Sequence, residues 1–144
     1  MSLRRSDVLP CVVADGGSLP RRGTDLSAGL DVYATQDRWL WPLCPAKLSL
    51  GLSFELPPGS MARVEGRSSL ADKGLAILGG VIDEDYRGGV AAQLVILRWF
   101  PLRIRRGDRI AQLVIQPIYR PQPVSVATLS ATTRGAGGFG STGR

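Results

Sequence analysis

The stretch KLSLGLSFELPPGS (residues 47–60) decides the fold class. Leu48, Leu50, Leu52 and Phe54 alternate with Ser49, Gly51, Ser53 and Glu55. A period of two puts the four apolar side chains on one face of an extended chain and the small or polar ones on the other. Pro57-Pro58-Gly59 closes the run. Proline fixes φ and removes a ladder donor, and glycine accepts a left-handed turn conformation. One half-buried strand is therefore predicted here. Working outward, MARVE (61–65) reads as a short strand, and LAILGGVI (75–82), GVAAQLVILRW (89–99) and RIAQLVIQPIY (109–119) are Val/Ile/Leu-rich runs. DEDYRGG and RRGD punctuate them as turns. SSLADKG (68–74) predicts one or two helical turns, with Ser68 or Ser69 as N-cap and Gly74 as stop.

Many short strands with Gly/Pro punctuation argue an all-β sandwich or barrel in one domain. No repeat or domain boundary interrupts the 144 residues. Residues 1–10 read as loosely ordered. RPQPVSVATLSA (120–131), with two prolines, reads as an extended arm leading to a glycine-rich end. An arm that leaves its own globule often packs on a neighbouring subunit, so an oligomer is expected.

Composition narrows the chemistry. The chain has no histidine, which excludes Ser-His-Asp and Cys-His nucleophile systems and any His-ligated zinc. A base working near neutral pH is then a carboxylate. The net charge is +6, carried by sixteen arginines and two lysines. Arginine is the better bidentate partner of phosphate. No helix-turn-helix, zinc-finger or aromatic RNA-binding signature is present, so no specific nucleic acid is expected. No apolar run is long enough to span a membrane, and no secretory signal follows Arg4 and Arg5. These features predict a soluble protein of the cytoplasm or nucleus. Cys11 and Cys44 lack any ligand spacing and read as two half-buried thiols.

Five stretches carry candidate chemistry. The end, TTRGAGGFGSTGR (132–144), formally contains G-x-G-x-x-G, but the chain stops where a dinucleotide-binding helix would have to follow. Its glycines let backbone N–H groups approach an anion, Arg134 neutralises one, Ser141 and Thr142 add hydroxyls, and Phe139 offers a stacking face. Phosphate plus base suggests a nucleotide. In EGRSSLADKG (65–74), Arg67 precedes two hydroxyls at a predicted helix start. In GGVIDEDYRGG (79–89), Glu84 and Asp85 suit a solvated turn. Asp83 directly follows Val81-Ile82 and could take a proton from water, and Tyr86 could close on a sugar. In SAGLDVYA (27–34), Asp31 lies between Leu30 and Val32, where a carboxylate could hold magnesium through water. GDRIAQLVI (107–115) places Gln112 within a strand-like run.

Taken together, AGLDVYA (28–34), GRSSLA (66–71), GVIDEDYRGGV (80–90), GDRIAQLVI (107–115) and RGAGGFGSTG (134–143) resemble the five ordered motifs of the trimeric dUTP pyrophosphatase (dUTPase) family. The resemblance implies a jelly-roll-like β subunit in a homotrimer with C-terminal arm exchange. It implies three active sites at subunit interfaces and hydrolysis of dUTP to dUMP and pyrophosphate with Mg²⁺. Residue by residue, it implies that Asp83 activates the attacking water and that Tyr86 packs on deoxyribose. The hairpin backbone of Gly80, Val81 and Ile82 would read uracil. Arg67, Ser68, Ser69 and Gln112 would serve the phosphates, and Asp31 would reach the metal through water. In the end segment, Arg134 would meet the γ-phosphate, Phe139 would cover uracil, and Gly140, Ser141 and Thr142 would complete a lid over residues 134–144.

Two departures stand out: RSS where RSG is common, and Ala91 where Gly is common. A dCTP-deaminase relative would share the fold and an RSS-type motif but lack the glycine-rich end. A dUTPase-derived interaction protein would be suggested by loss of Asp83, Arg134 or Phe139, and all three are present. Trp39, Trp41 and Trp99 read as core or trimer-interface packing.

Overall fold

The structure is a computed structural model and describes residues 8–138. It contains β1 (Cys11–Val13), β2 (Leu30–Tyr33), β3 (Arg38–Leu40), β4 (Ala46–Ser49), β5 (Leu52–Phe54), β6 (Ser60–Glu65), α1 (Ser68–Ala71), β7 (Leu75–Ile77), β8 (Val81–Ile82), β9 (Ala91–Ile96), β10 (Leu102–Ile104) and β11 (Arg109–Pro117). Every named strand pair is antiparallel. The larger sheets run β2-β11-β6-β8 and β4-β9-β7, and two-stranded pairs β1-β5 and β3-β10 complete the jelly-roll-like fold.

One apolar core joins the sheets. Leu48, Leu75, Leu94 and Ile96 come from one side, and Val32, Ala62, Val64 and Leu113 from the other. All of these are buried, because alternate side chains of a half-buried strand face inward.

The 47–60 pattern is borne out in burial and corrected in continuity. Leu48, Leu50, Leu52 and Phe54 are all buried, yet the predicted single strand is two. β4 pairs with β9, whereas β5 pairs with β1. The break is at Gly51, with φ +64°, where a Cβ would lie 2.6 Å from the Gly17 Cα. Only glycine fits that close approach, and the positive φ turns the chain from one sheet to the other. LAILGGVI divides likewise into β7 and β8 at Gly79-Gly80. Alternation in sequence does not register such a bend, because side-chain parity continues through it.

The helix is a single turn. Its N-cap is Arg67, without a side-chain capping bond, so the expectation of Ser68 or Ser69 at that position is corrected: both are helical. Gly74 ends the segment with φ +79°, as expected. β1, β3 and β10 were not predicted. Each is three residues long, too short to show a period. Residues 118–131 form neither helix nor strand. Both cysteines are free. Cys11 is half-buried as expected, with burial raising its thiol pKa, and Cys44 is exposed, which corrects its reading. The three tryptophans lie outside the chain's own core.

Candidate functional site

Two clefts collect the predicted residues, and none of the residues named for one lines the other. The first, about 200 Å³, is formed around the turn leaving β8. Gly79 and Gly80 both have positive φ, at +66° and +107°. The Gly80 carbonyl accepts a hydrogen bond from the Val64 N–H at 2.8 Å, which seats β8 against β6. A Cβ on Gly80 would stand 2.6 Å from the Val64 oxygen. Gly80→Ala therefore adds strain to a clash and is expected to cost about 1–3 kcal/mol. Denaturant unfolding of the variant checks this, and an unchanged midpoint would refute it.

β8 then delivers Ile82 into the core and Asp83 to the rim, both lining the cleft with Gly80, Val81 and Tyr86. The Tyr86 hydroxyl donates to the Gly89 carbonyl at 3.0 Å, and the ring lies where any Cβ on Gly88 would be, 2.4 Å from its hydroxyl. Glycine at 88 thus lets the ring fold over the turn. Lys47 and Gln93, register partners on β4 and β9, line the opposite wall. Nothing in the sequence distinguished them from ordinary solvent-facing strand residues.

The turn is tied down by Glu84. Its carboxylate accepts from the Arg120 guanidinium at 2.6 Å and from the Gly59 N–H at 2.9 Å. Those bonds, Arg120 first, hold the carboxyl below its ordinary value of 4.5. A depressed pKa means that stabilisation is present above that ordinary value and is lost as pH falls through the folded one. Glu84→Gln is expected to melt slightly below the parent protein at neutral pH, with the two converging as pH falls below the ordinary carboxylate value and through the lowered folded one. Melting curves across pH test this, and a pH-independent gap would exclude the charge as its cause.

The second cleft, about 230 Å³, is lined by Gly23, Ser27, Gly29, Asp31, Arg67, Ser68, Ser69, Arg109 and Gln112. Asp31 on β2 is its organising charge. One carboxylate oxygen accepts from Arg67 Nε at 2.9 Å and the other from Arg109 Nη1 at 3.2 Å. Arg67 also donates to the Arg109 carbonyl at 3.3 Å. Two cations share one anion, so the cleft keeps an excess of positive charge facing Ser68 and Ser69. Gln112 donates from Nε2 to the Gly66 carbonyl at 2.8 Å, pinning the entry to α1. A Cβ on Gly29 would lie 2.3 Å from the Gln112 amide oxygen, so a larger residue there would push the amide out of its present place.

Arg109 was missed in sequence. It stood inside a quoted motif, but residues 109 and 112 have opposite parity on a regular strand. A register shift between Arg109 and Ala111 in the β11–β2 pairing admits both to one cleft. The sequence offered only the adjacent apolar pair Ile110-Ala111, both of which are buried at the register shift.

Arg134 lines neither cleft. Its Nε donates to the Gly137 carbonyl at 2.8 Å within a local turn. Phe139, Gly140, Ser141 and Thr142 lie outside the described residues. Among the described residues, no group of three or more Cys, Asp or Glu side chains could by itself hold a metal ion, and no helix is long and apolar enough to cross a membrane.

Comparison with known proteins gives consistent findings. The family model described as dUTPase matches residues 15–143. The deoxyuridine 5′-triphosphate nucleotidohydrolase of Anaeromyxobacter sp. (strain Fw109-5) is 46% identical over 129 residues, 88% of each chain. The enzyme of the same description from Paramecium bursaria Chlorella virus 1 is 39% identical over 139 residues, covering 96% of this chain and 99% of that one. Among solved structures, the dUTPase of Staphylococcus bacteriophage 80alpha with dUpNHpp superposes with a TM-score of 0.89 at 25% identity, covering 96% of this chain and 99% of that one. A dUTPase mutant from phage phi11 of S. aureus, described for its coordination of a structural Mg(II) ion, gives a TM-score of 0.78 at 22% identity, over 84% and 97% of the chains.

Proposed function

This chain belongs to the dUTPase family and hydrolyses dUTP, and we propose that it does so by attack of an Asp83-activated water on the α-phosphorus, giving dUMP and pyrophosphate. The observation that carries this reading is the division of labour between the clefts. One holds a turn backbone, a carboxylate and a tyrosine ring. The other holds two arginines and two serine hydroxyls around one buried-side carboxylate.

On this reading the Gly80–Ile82 backbone reads uracil by its hydrogen-bonding edge. Tyr86 packs on deoxyribose and leaves no room for a 2′-hydroxyl. Asp83, at the rim of the same cleft, accepts the proton of the attacking water. Arg67, with Ser68 and Ser69, binds the phosphate chain, and Asp31 fixes the angle of the Arg67 and Arg109 guanidiniums. Gln112 holds the α1 entry at the right height. Arg134, Phe139, Gly140, Ser141 and Thr142 close over the bound nucleotide and exclude water.

Since the two halves line separate clefts, a complete site joins the base half of one subunit to the phosphate half of another. With membership of the dUTPase family, that reading takes the assembly as a homotrimer with exchanged arms, the arm being residues 120–133. Such an enzyme acts inside the cell, in cytoplasm or nucleus, lowering dUTP and supplying dUMP.

Mg²⁺ is the cofactor of this family's chemistry, and the donor set fits it. Mg²⁺ keeps most of its waters and takes one or two carboxylates together with substrate phosphates. Asp31, already bonded to two guanidiniums, suits contact through water and not direct ligation. When bound with the nucleotide, Mg²⁺ would supply neutralisation of charge developing on the phosphate oxygens.

Incubating the protein with dUTP, dCTP, dTTP and UTP, with Mg²⁺ or with EDTA, tests the reading. Pyrophosphate and dUMP from dUTP alone, lost in EDTA, is the expected result. Ammonia from dCTP would make it a deaminase. Binding of dUTP without turnover would make it an interaction protein.

A further inference from the structure

All three tryptophans of the chain, and one of its three phenylalanines, fall in two short segments, RWLWPL (38–43) and LRWFPL (97–102). The fold pairs those segments. β3 and β10 align Trp39 with Arg103, Leu40 with Leu102 and Arg38 with Ile104. Leu40 and Ile104 face the core, so Trp39 and Arg103 share the outer face, and Trp41 follows Trp39 on it by parity. Pro42 bridges Ile96, and the Leu43 N–H donates to the Ile96 carbonyl at 2.9 Å, which draws residues 41–43 alongside the 97–101 turn.

That turn is built to display its rings. Arg98 folds back, donating to the carbonyls of Phe100 and Pro101, each at 3.2 Å, which leaves Trp99 and Phe100 outward. Trp39 is 52% exposed, Trp41 61%, Trp99 85% and Phe100 73%. Such rings are strong contact groups, and a cluster of them on one surface marks an interaction site.

The charge around them is one-sided. Residues 37–43 and 97–106 hold five arginines, at 38, 98, 103, 105 and 106, against a single acid, Asp37; Arg38, paired with Ile104, lies on the other face of β3 from Trp39. Asp37 is already taken by Arg103 Nη2 at 2.9 Å and the Arg106 N–H at 2.9 Å. An occupant of this face is therefore anionic and offers flat apolar surfaces. The ring spacing narrows it further. Trp39 lies in β3 and Trp41 just past its end; at extended-chain rise their Cα atoms stand about 6.6 Å apart, close to two base-stacking steps of about 3.4 Å. A lipid surface would call for an apolar tip with its cations set behind. Here Arg103 sits directly opposite Trp39, so cation and ring alternate at one level, as on a stacking platform for a nucleic-acid strand.

We infer that the outer face of the β3–β10 pair binds single-stranded nucleic acid without sequence preference, Trp39, Trp41, Trp99 and Phe100 stacking on bases and the flanking arginines meeting phosphates. This site lies apart from both clefts and does not depend on the hydrolytic reading.

The test uses the whole chain and a fluorescein-labelled dT 15-mer, read by anisotropy and by tryptophan quenching at low and at physiological salt. Salt-weakened binding with quenching is expected. Trp41→Ala/Trp99→Ala is expected to weaken binding about 10-fold or more, with dUTP hydrolysis and oligomeric mass unchanged. Trp41→Phe/Trp99→Phe is expected to keep most of the affinity. The proposal is overturned if the parent protein does not bind the 15-mer, or if the alanine pair binds as tightly as the parent, since the overall positive charge would then account for binding. Tighter binding to phosphatidylserine vesicles than to the oligonucleotide would assign the face to a membrane. A change of oligomeric mass in the alanine pair would assign it to contact between copies of the chain.

Discussion

Asp83→Asn is expected to bind dUTP and leave it intact. Asparagine keeps the size of the side chain and its place at the end of β8, so the cleft formed with Gly80, Ile82 and Tyr86 persists. What it lacks is a basic carboxylate oxygen. The chain has no histidine to substitute, and a neighbouring acid cannot stand in easily: Glu84 is turned away to Arg120 and the Gly59 N–H. Loss of a general base typically costs 10²–10⁴-fold, so kcat should fall by roughly that much. The dissociation constant for dUTP should stay within a few-fold. Single-turnover hydrolysis and calorimetric binding measure the two separately. Turnover at the parent rate would show that Asp83 is not the base.

Deleting residues 134–144 is expected to leave a folded protein that hydrolyses dUTP at least about 10²-fold more slowly, the cost of removing donors aimed at developing charge. Among the described residues, none of the core comes from this segment, so thermal stability should hold. Among the described residues, the Arg134 side chain donates to the Gly137 carbonyl three residues on, a local bond that a ligand's phosphate could replace in the proposed closed state. The loss should exceed that of any single substitution within the segment, since a lid acts as a unit. Activity measured at saturating dUTP, with a melting curve for the truncated protein, decides the matter. Full activity would remove the lid from the mechanism.

Much of the fold was legible because burial in strands follows parity. Leu48, Leu50, Leu52 and Phe54 declared an inward face, and all four are buried. The run at 61–65 became β6 with Ser60 added, and those at 89–99 and 109–119 became β9 and β11 with their ends trimmed. The shortest strands were not legible, because three residues carry no period and their existence depends on a partner supplied from far along the chain. Trp39 and Arg103 are paired by topology alone.

At the candidate site, residue types were readable and geometry was not. The absence of histidine left a carboxylate as base, the excess of arginine suited a triphosphate, and the glycine-rich end suited an anion. Those conclusions follow from side-chain chemistry, which is local and travels with the residue. Tertiary structure decided the rest. It bent the chain at Gly51 and Gly80, where a Cβ would collide with backbone. It bulged β11 so that Arg109 joins Arg67 on Asp31, and it set Asp83 and Asp31 in separate clefts. Such outcomes depend on which distant backbones approach each other, and that is settled by the packing of the whole core.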